Sequence, residues 1–498
     1  MTTFTGNRGL AQEEALIFEQ DSPGHSGVDL PALPHTKTRL GTVKKRTKIG
    51  LPGLSEPQIV RHYTRLSQKN YAIDAGLYPL GSCTMKHNPR LNEKAVRMPG
   101  FADLHPLQPI ATVQGALQLI DQLAHWLKTL TGMPAVALSP AAGAHGEYCG
   151  MIAIRAALEA RGDKRRKVLV PESAHGTNPA TAAALGFEVE SIPATEDGHV
   201  DLAALKAKLG PDVAGIMLTN PNTCGLFERD IKTIADAVHE VGGFFYCDGA
   251  NFNAIVGRVR PADLGVDAMH INLHKTFSTP HGGGGPGAGP VVFSDKLAPY
   301  VPVSWVVHGK NGFDLVEHAS GDAVGRLKAF HGQMGMFVRA LTYMLSHGND
   351  GLRQASSDAV LGANYILASL SDVLHPAFPG PCMHEALFDD SSLKGTGVTT
   401  LDIAKAMLDE GYHPMTMYFP LVVHGAMLIE PTESESKDSL DKFIGTMRDL
   451  VRRAKLPGAE EEFHAAPRLT PRRRLDETAA ARKPVLRWRP PALDQAAE

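Results

Sequence analysis

Lys275 and Asp248 each follow an apolar run that is typical of a buried strand. Asp248 comes directly after the aromatic-rich run 244–247, and Lys275 ends a strand-like stretch that begins near residue 267. A lysine amine can form a Schiff base with an aldehyde, and a carboxylate can hold a pyridine nitrogen in its protonated form. The two residues therefore predict a site for pyridoxal 5'-phosphate (PLP), with Lys275 as the attachment point.

Three further loops after predicted strands carry residues that suit the same cofactor. Ala144 and His145 lie in a loop of small residues that leads into a helix, whose first N–H groups can bind a phosphate. His175, in the next loop, could stack on an aromatic ring, and the side chain of Asn220 could bond a ring substituent. The order of these features along the chain, each one after a strand, favours a single cofactor site.

Each feature also has an ordinary explanation when it is taken alone. The first loop could be a tight strand–helix turn, His175 a polar loop residue, and Asn220-Pro221 the start of a turn. Asp248 could cap a helix, and Lys275 could be a solvated lysine at a strand end.

The glycine run Gly282–Gly287 formally matches the nucleotide-binding pattern GxGxxG. No predicted strand leads directly into it, no helix opens from it, and Pro286 lies inside it, so nucleotide binding is not predicted. A lipase-type oxyanion loop is not predicted either, because the chain has no GxSxG sequence. We expect the run to let another backbone segment or a substrate approach closely.

The composition is that of an ordinary globular protein of two or three domains, with 498 residues, 43% hydrophobic and 21% charged residues. A net charge of −3 argues against nucleic-acid binding, and we expect neither a secretory signal nor a membrane span. Five cysteines without a CxxC pair and 22 histidines without an HExxH motif predict neither a disulfide framework nor a metal site. We expect a cytoplasmic protein.

Short apolar runs alternate with helical segments over residues 111–335, which predicts a large α/β domain with a mainly parallel sheet covered on both faces. The predicted strands are 135–138, 167–170, 187–192, 213–218, 243–247, 267–272 and 290–293, and the clearest predicted helices are 114–130, 147–161 and 230–241. Active sites of such sheets lie at the carboxyl ends of the strands. The motif residues above therefore converge on one edge of the sheet.

The rest of the chain divides into three predicted ranges. Residues 1–110 are expected to form an extended arm, 336–456 a small α+β domain, and 457–498 an extended or partly disordered tail. The predicted helices outside the large domain are 332–370, with a break near Gly348 and Gly351, then 402–410 and 437–455.

Long sequence strings carry a family resemblance. They are Arg61–Tyr71 (RHYTRLSQKNY), Tyr78–Lys86 (YPLGSCTMK), Gly143–Tyr148 (GAHGEY), Asn220–Glu228 (NPNTCGLFE), Asp248–Asn251 (DGAN), Asn272–Phe277 (NLHKTF), Tyr418–Leu421 (YFPL) and Glu430–Glu435 (EPTESE). In these strings, and over almost its whole length, the chain resembles the PLP-bearing subunit 2 of glycine dehydrogenase (decarboxylating), the P-protein of the glycine cleavage system.

The resemblance implies a fold-type-I, aminotransferase-like PLP enzyme with a large α/β domain and a small C-terminal domain. It makes Lys275 the Schiff-base lysine, Asp248 the partner of the pyridinium nitrogen and His175 the stacking residue. Further cofactor contacts are implied for Ala144, His145, Asn220, Ala250, Asn272 and His274.

The implied reaction is decarboxylation of glycine, with transfer of the aminomethyl group to the lipoyl arm of the H-protein. The implied partner is a related subunit 1 that lacks the lysine, with two copies of each subunit. The segment Tyr78–Lys86 is a candidate wall of the substrate pocket, or a structural arm.

Three positions depart from the family pattern. His145 stands where Gln is expected, His87 where Tyr is expected, and His424-Gly425 replaces Pro-Glu. The resemblance therefore implies backbone contacts of the phosphate loop and leaves open whether the His145 side chain contacts the cofactor.

Two other hypotheses about the function fit the same residues. One is a different fold-type-I PLP enzyme, such as another amino-acid decarboxylase or a cysteine desulfurase, which would need a mobile loop cysteine. Cys382 has no obvious loop signature of that kind. The other is a non-catalytic scaffold subunit, against which Lys275 and Asp248 argue.

Overall fold

Seven strands form a central sheet in the computed structural model, which describes residues 14–22, 24–32, 34, 39–45, 50–282 and 286–488. The strands are β1 (Ala135–Ala137), β2 (Lys167–Pro171), β3 (Glu188–Ile192), β4 (Val213–Thr219), β5 (Phe244–Asp248), β6 (Ala268–His270) and β7 (Val291–Phe293). Their spatial order is β1-β7-β6-β5-β4-β2-β3. β2 to β6 pair in parallel, and β7 runs antiparallel to β1 and β6. The mainly parallel sheet is confirmed.

The helices occupy the ranges between and after these strands. They are α1 (Glu56–Gln68), α2 (Arg90–Val96), α3 (Pro99–Ala102), α4 (Gln114–Thr131), α5 (Gly143–Ala160), α6 (Thr177–Ala184), α7 (Leu202–Lys208), α8 (Ile231–Glu240), α9 (Leu273–Thr276), α10 (Met334–Leu370), α11 (Thr400–Asp409), α12 (Lys437–Ala454), α13 (Ala459–His464) and α14 (Glu477–Arg482). The predicted helix over 114–130 is confirmed by α4, and that over 437–455 by α12.

Helices cover both faces of the central sheet. All seven residues of β4 and all five of β5 are buried, which explains their continuous apolar character. Alternate strand residues point to opposite sides. Ile216 and Phe245 thus pack in a core with α4 and α8, whereas Met217 and Tyr246 pack in a second layer with α5 and α6.

A separate hydrophobic core lies in the C-terminal part of the chain. Its sheet has the order β10-β11-β13-β12, all antiparallel, and its strands are β10 (His375–Pro376), β11 (Ala386–Asp389), β12 (Thr416–Met417) and β13 (Met427–Ile429). α11 and α12 pack on this sheet. The predicted small α+β region is confirmed.

α10 contributes to both cores. Its backbone leaves the helical conformation at Gly348, where φ is 61° and ψ is −171°, so the break expected near this glycine is present. Phe337 and Leu341 before the break belong to the first core, and Ile366 and Leu370 after it belong to the second. The helix crosses the predicted boundary between 335 and 336, and the exact domain ranges stay predictions.

The arm and the tail are more ordered than the sequence suggests. α1 lies within the range that we expected to be extended, and Leu77 is buried in the C-terminal core. The tail begins with α13, whose Phe463 is buried in that same core because the helix packs against α11 and α12. The expectation of an extended segment from residue 457 is therefore wrong for α13, and residues 489–498 lie outside the described part of the chain.

A two-stranded hairpin packs against α4. Its strands are β8 (Trp305–Gly309) and β9 (Gly312–Val316), and they pair antiparallel. Over the residues that the structure describes, no helix is both long and apolar enough to cross a membrane.

Candidate active site

Lys275 lies on a short helix and not at the end of a strand. β6 ends at His270, Asn272 precedes α9 in an extended conformation, and Lys275 is the third residue of that helix. The predicted strand over 267–272 is therefore too long, because the chain turns into α9 as soon as it leaves the sheet. The Lys275 side chain is 9% exposed, and its Nζ donates a hydrogen bond to the Ser82 carbonyl at 2.8 Å.

Asp248 ends β5 and is paired in register with His270 on β6 and with Thr219 on β4. Its carboxylate accepts hydrogen bonds from Asn178 Nδ2 at 3.1 Å and from the Ala250 N–H at 2.9 Å, and lies 3.4 Å from His270 Nε2. Burial opposes ionisation of this carboxyl, but His270, the Ala250 N–H and Lys275 outweigh it and lower the pKa of Asp248. Asp248 is thus a buried carboxylate held in its charged form.

A cavity of about 280 Å³ brings most of the predicted site residues together. The predicted residues that line it are Ala144, His175, Asp248, Ala250, Asn272, His274 and Lys275. It lies where the loops after β4, β5 and β6 meet the start of α5, which is the carboxyl edge of the parallel strands. Convergence of separate loops on one site is what the sequence order predicted.

Two predicted residues lie beside the cavity without lining it. His145 is half-buried, and its Nδ1 accepts a hydrogen bond from the Ala141 N–H at 3.1 Å. The side chain therefore binds the backbone of the loop that carries it. Asn220 is buried and its Oδ1 accepts from the Glu228 N–H at 2.9 Å. Its Nδ2 has no hydrogen-bond partner among the described residues.

The start of α5 forms a backbone cradle at one end of the cavity. The first intrahelical hydrogen bond runs from Gly146 N to Ala142 O, so the N–H groups of residues 143–145 have no carbonyl acceptor in the helix. A Cβ at Gly143 would come within 2.6 Å of Asn272 Nδ2, which means that only glycine fits between the two loops. The cradle suits an anion such as a phosphate.

The glycine-rich segment after Lys275 packs directly behind this cradle. A Cβ on Gly287 would lie 2.3 Å from the Ala141 oxygen, and a Cβ on Gly289 would lie 2.2 Å from the Ala142 oxygen. The prediction that the run permits close backbone approach is confirmed at Gly287. Residues 283–285 are outside the described part of the chain.

The two predicted histidines of the cavity differ in environment. His175 is exposed, its Nδ1 lies 2.9 Å from Thr177 Oγ1, and its ring meets Phe419 edge-on at 5.8 Å. His274 packs edge-on against His281 at 4.7 Å. Burial, together with the charge of Lys275, lowers the pKa of His274 to about 3 and that of His281 to about 4, so both rings are neutral.

Sequence reasoning did not assign roles to Glu147 and His270, although both line the cavity. Thr177 and Thr181 donate hydrogen bonds to the Glu147 carboxylate at 2.8 and 3.1 Å. Burial and the charge of Asp248 raise the pKa of Glu147 to about 7. The signal available in the sequence was the position of Glu147, which lies in the second turn of a helix that begins in the loop after a predicted strand.

Ligand-type atoms of Glu147, Asp248 and His270 lie within 4.8 Å of one another. His270 is already engaged, since its Nδ1 lies 2.6 Å from the Tyr246 hydroxyl and its Nε2 lies 2.8 Å from Asn272 Oδ1. These bonds form a continuous network that fixes the position of Asp248. The expectation that the chain binds no metal stays a prediction.

The residues of the cavity fit PLP. A lysine amine, an ionised carboxylate and an anion cradle line one space. Thr219 Oγ1 on its wall and Asn178 Oδ1 next to Asp248 are buried polar atoms that have no hydrogen-bond partner within the described part of the chain. Lys275 would hold the cofactor covalently, Asp248 would face its pyridine nitrogen, and the start of α5 would bind its phosphate.

Cys382 is not placed to act as the nucleophile of a desulfurase. It is buried, and both its N–H and its carbonyl are hydrogen-bonded to the Asn364 amide, at 3.0 and 2.6 Å. Burial raises the pKa of the Cys382 thiol to about 12, which keeps it protonated. The geometry therefore disfavours that alternative.

Two family models match the chain. Residues 146–288 match the aminotransferase class-V family, which includes most of the cavity loops. Residues 355–462 match the C-terminal domain of glycine dehydrogenase, which includes most of the C-terminal core. The fold-type-I PLP architecture is thereby confirmed.

Curated relatives match over nearly the full length. A probable glycine dehydrogenase (decarboxylating) subunit 2 of Caulobacter vibrioides is 70% identical over 98% of this chain and 95% of the relative. The protein of the same description from Oceanobacillus iheyensis is 50% identical over 95% of this chain and 99% of the relative. Among solved structures, an inhibitor-bound glycine decarboxylase (P-protein) of the glycine cleavage system shares the fold, with a TM-score of 0.68, 20% identity, and coverage of 82% of this chain and 92% of that one. The chain therefore belongs to the family of glycine dehydrogenase (decarboxylating) subunit 2.

Proposed function

We infer that this chain is a PLP-dependent glycine dehydrogenase (decarboxylating) subunit that removes CO2 from glycine in the glycine cleavage system. The observation that carries the inference is the placement of Lys275 and Asp248 on one cavity, in a chain 70% identical to a relative of that description. Both residues that PLP chemistry requires are present, which disfavours a scaffold role.

Bound PLP supplies an electron sink for the electrons released when the carboxylate of glycine departs as CO2. Lys275 would hold the cofactor through its side-chain amine, which the substrate amine would have to replace. Asp248, held in its charged form by Asn178 and His270, would keep the proton on the pyridine nitrogen. Neutral His274 and His281 add no charge beside Lys275.

We further propose that the aminomethyl group passes to the lipoyl arm of the H-protein. Support comes from the similar structure, which is described as a P-protein of the glycine cleavage system. The description of the relatives as subunit 2 implies a partner subunit 1. We propose a complex with two copies of each subunit, in the cytoplasm, where the five free thiols of this chain stay reduced.

Replacement of Lys275 tests the proposal. The full chain, co-expressed with subunit 1, is expected to show the visible absorbance of bound PLP and to catalyse glycine–bicarbonate exchange with lipoylated H-protein. Lys275→Ala is expected to lose both, because no other amine lines the cavity in the described structure. Lys296→Ala removes a lysine whose side chain is 54% exposed and serves as the matched control, with both signals kept.

Substrate choice separates glycine decarboxylation from other fold-type-I activities. Glycine is expected to exchange, whereas glutamate and cysteine are not. A Lys275→Ala protein that kept its absorbance band and its exchange activity would contradict the assignment, and preference for another amino acid would contradict the substrate.

A further inference from the structure

The segment Gly81–Lys86 crosses the active site and supplies the acceptor for Lys275. The Ser82 carbonyl accepts the hydrogen bond from Lys275 Nζ at 2.8 Å, and Ser82 lines the cavity. Ser82 and Thr84 have positive φ angles of 64° and 49°, a conformation that residues other than glycine rarely adopt. The direction of the Ser82 carbonyl therefore depends on contacts that hold this backbone in place.

Two buried carboxyl groups hold the segment from the C-terminal core. The Ser82 N–H donates to Glu385 Oε1, and the Thr84 N–H donates to Glu430 Oε2 at 2.8 Å. Glu385 comes just before β11 and Glu430 just after β13, so both are fixed by neighbouring strands. Each residue is 0% exposed.

The far end of the segment is fixed by Lys86. Its Nζ forms a buried ion pair with Glu433 at 2.6 Å and donates to the Thr276 carbonyl at 2.8 Å. Thr276 follows Lys275 in α9, so this contact ties the segment to the helix that carries the lysine. The segment is thus a built part of the site and not a loose arm.

His384 completes the cluster behind the segment. Its Nε2 lies 3.7 Å from Glu430 Oε1 and 4.0 Å from Glu385 Oε2. Both ring nitrogens and these two oxygens are buried and have no hydrogen-bond partner among the described residues. The cluster has therefore unused hydrogen-bonding capacity at its centre.

The charge state of the cluster follows from its burial. Burial, and then the charge of Glu430, raises the pKa of Glu385 well above its ordinary value, so that Glu385 retains a proton. Burial lowers the pKa of His384, which keeps the ring neutral. Two buried carboxyl groups can lie close together here because Glu385 is neutral.

We propose that Glu385 and Glu430 are positioning residues that hold the Ser82 carbonyl as the acceptor for the Lys275 amine whenever that amine is not bonded to the cofactor. The role of Lys275 rests on the proposed function. When substrate replaces the lysine on the cofactor, the freed amine stays at the Ser82 carbonyl, within reach for its return. Without the anchors, the segment relaxes and the amine loses that acceptor.

The test compares variants of the full chain, co-purified with subunit 1. Stopped-flow absorbance gives the rate at which glycine displaces Lys275 from bound PLP, and borohydride trapping with mass spectrometry gives the rate at which stripped protein recaptures PLP on Lys275. Glu385→Leu is expected to slow both about 100-fold, because a misplacement of about 1 Å has that effect. Glu385→Gln keeps the acceptor oxygen and mimics the neutral acid, so its rates are expected to match the parent.

Asp402→Ala is the control for removal of a buried carboxylate. Asp402 is 2% exposed, accepts the Thr399 N–H at 2.8 Å and lies in the C-terminal core away from the cavity. It is expected to lower the melting temperature without changing either rate. A purely structural role for Glu385 would produce this same pattern.

A milder variant keeps the test decisive if Glu385→Leu does not fold. Thr416 Oγ1 donates to the Gly81 carbonyl at 2.7 Å, and Thr416→Val removes only that bond to the segment. A loss of one hydrogen bond is expected to slow recapture about 2- to 10-fold. Parent rates in Thr416→Val would then overturn the proposal, as would parent rates in a folded Glu385→Leu protein.

Two further outcomes overturn the proposal. If Glu385→Gln is as slow as Glu385→Leu, a neutral Glu385 with an acceptor oxygen is not what holds the segment. One divalent metal ion per chain in the purified parent, lost in Glu430→Gln, would show that a cation holds the cluster. Failure of the proposed function is distinguishable, because a parent that does not react with glycine can still be compared with its variants by recapture of PLP on Lys275.

Discussion

At the residue scale, the site separates two neighbouring carboxyl groups by their surroundings. Asp248 accepts hydrogen bonds from a main-chain N–H and an amide and faces His270, and its pKa is lowered despite burial. Glu147 is bonded by two hydroxyl groups and sits within the field of Asp248, and its pKa is raised to about 7. One carboxyl group is thus charged, as a partner of the pyridine nitrogen of PLP would have to be, and its neighbour is largely neutral below pH 7.

This difference predicts a pH-dependent stability that Glu147→Gln removes. Above pH 4.5 the unfolded chain releases the proton of Glu147, while the folded protein keeps it up to about pH 7. The stability contributed by Glu147 is therefore full below pH 4.5 and falls as the pH rises towards 7. The free energy of unfolding of Glu147→Gln minus that of the cofactor-free parent is expected to be about 2–3 kcal/mol larger at pH 8 than at pH 5.

Urea unfolding at the two pH values measures this effect. The difference between variant and parent isolates Glu147, because the other titrating groups occur in both proteins. A difference that stays constant between pH 5 and pH 8 would show that Glu147 titrates normally.

At the scale of elements, α5 is held against the sheet by glycines that face β5 and β6. A Cβ on Gly150 would lie 2.5 Å from Tyr246 Cε2, and one on Gly146 would lie 2.7 Å from His270 Cβ. Tyr246 and His270 are themselves joined by a hydrogen bond of 2.6 Å. The close approach of α5 therefore sets the distance between its phosphate cradle and Asp248.

Gly150→Ala is expected to lower the free energy of unfolding by about 1–3 kcal/mol, because the added methyl group overlaps a buried ring. Gly445→Ala in α12 is the matched control, since nothing lies within 4 Å of its added Cβ. That control is expected to gain up to about 1 kcal/mol from higher helix propensity. Thermal and urea unfolding of both variants measure the contrast, and equal effects would show that α5 can move away from the sheet.

Elements with a strong period were predictable from sequence, and short ones were not. The apolar stripes of α4 and α12 gave bounds within about two residues, because each repeats over several turns. α9 has four residues, too few for a helical period, so its sequence read as the continuation of β6. The prediction that Lys275 lies with the other strand-end loops is met by the shared cavity, because the order of these loops does not depend on the exact element that carries the lysine.

At the scale of the whole molecule, buried polar contacts connect the N-terminal segment, the large sheet region and the C-terminal core. Lys86 Nζ contacts Asn253 Oδ1 at 2.8 Å, the Thr276 carbonyl at 2.8 Å and Glu433 Oε1 at 2.6 Å. These partners come from three separate parts of the chain. The ion pair therefore joins regions whose hydrophobic cores are distinct.

Lys86→Met is expected to lower the free energy of unfolding by about 3–5 kcal/mol, because it leaves Glu433 buried without its cation. The double variant Lys86→Met/Glu433→Leu is expected to recover part of this loss. Lys437→Met breaks an exposed pair with Asp441 and should change stability little. Urea unfolding of the three variants measures these changes in the free energy of unfolding. If Lys86→Met were no less stable than Lys437→Met, the buried ion pair would not contribute to the stability of the fold.

The partners of the site that come from distant parts of the chain could not be predicted from local sequence. Ser82, Glu385 and Glu430 lie in no common motif, and only folding places them behind Lys275. Tyr78–Lys86 was recognised as a conspicuous string, but its sequence does not show that the Ser82 carbonyl, and not a side chain, faces the lysine. A carbonyl group occurs in every residue, so a main-chain contact of this kind cannot be predicted from the residue type.

The partners of the segment around Ser82 are translated at very different times. Lys275 is 193 residues from Ser82 in sequence, Glu385 is 303 residues from Ser82, and Glu430 is 346 residues from Thr84. A nascent chain that has just exposed Lys275 from the ribosome already carries the lysine, the aspartate and the phosphate cradle, but the anchors of the segment have not yet been translated. The Ser82 carbonyl can therefore take its final position beside Lys275 only after the chain through Glu430 has been made and has folded behind the segment.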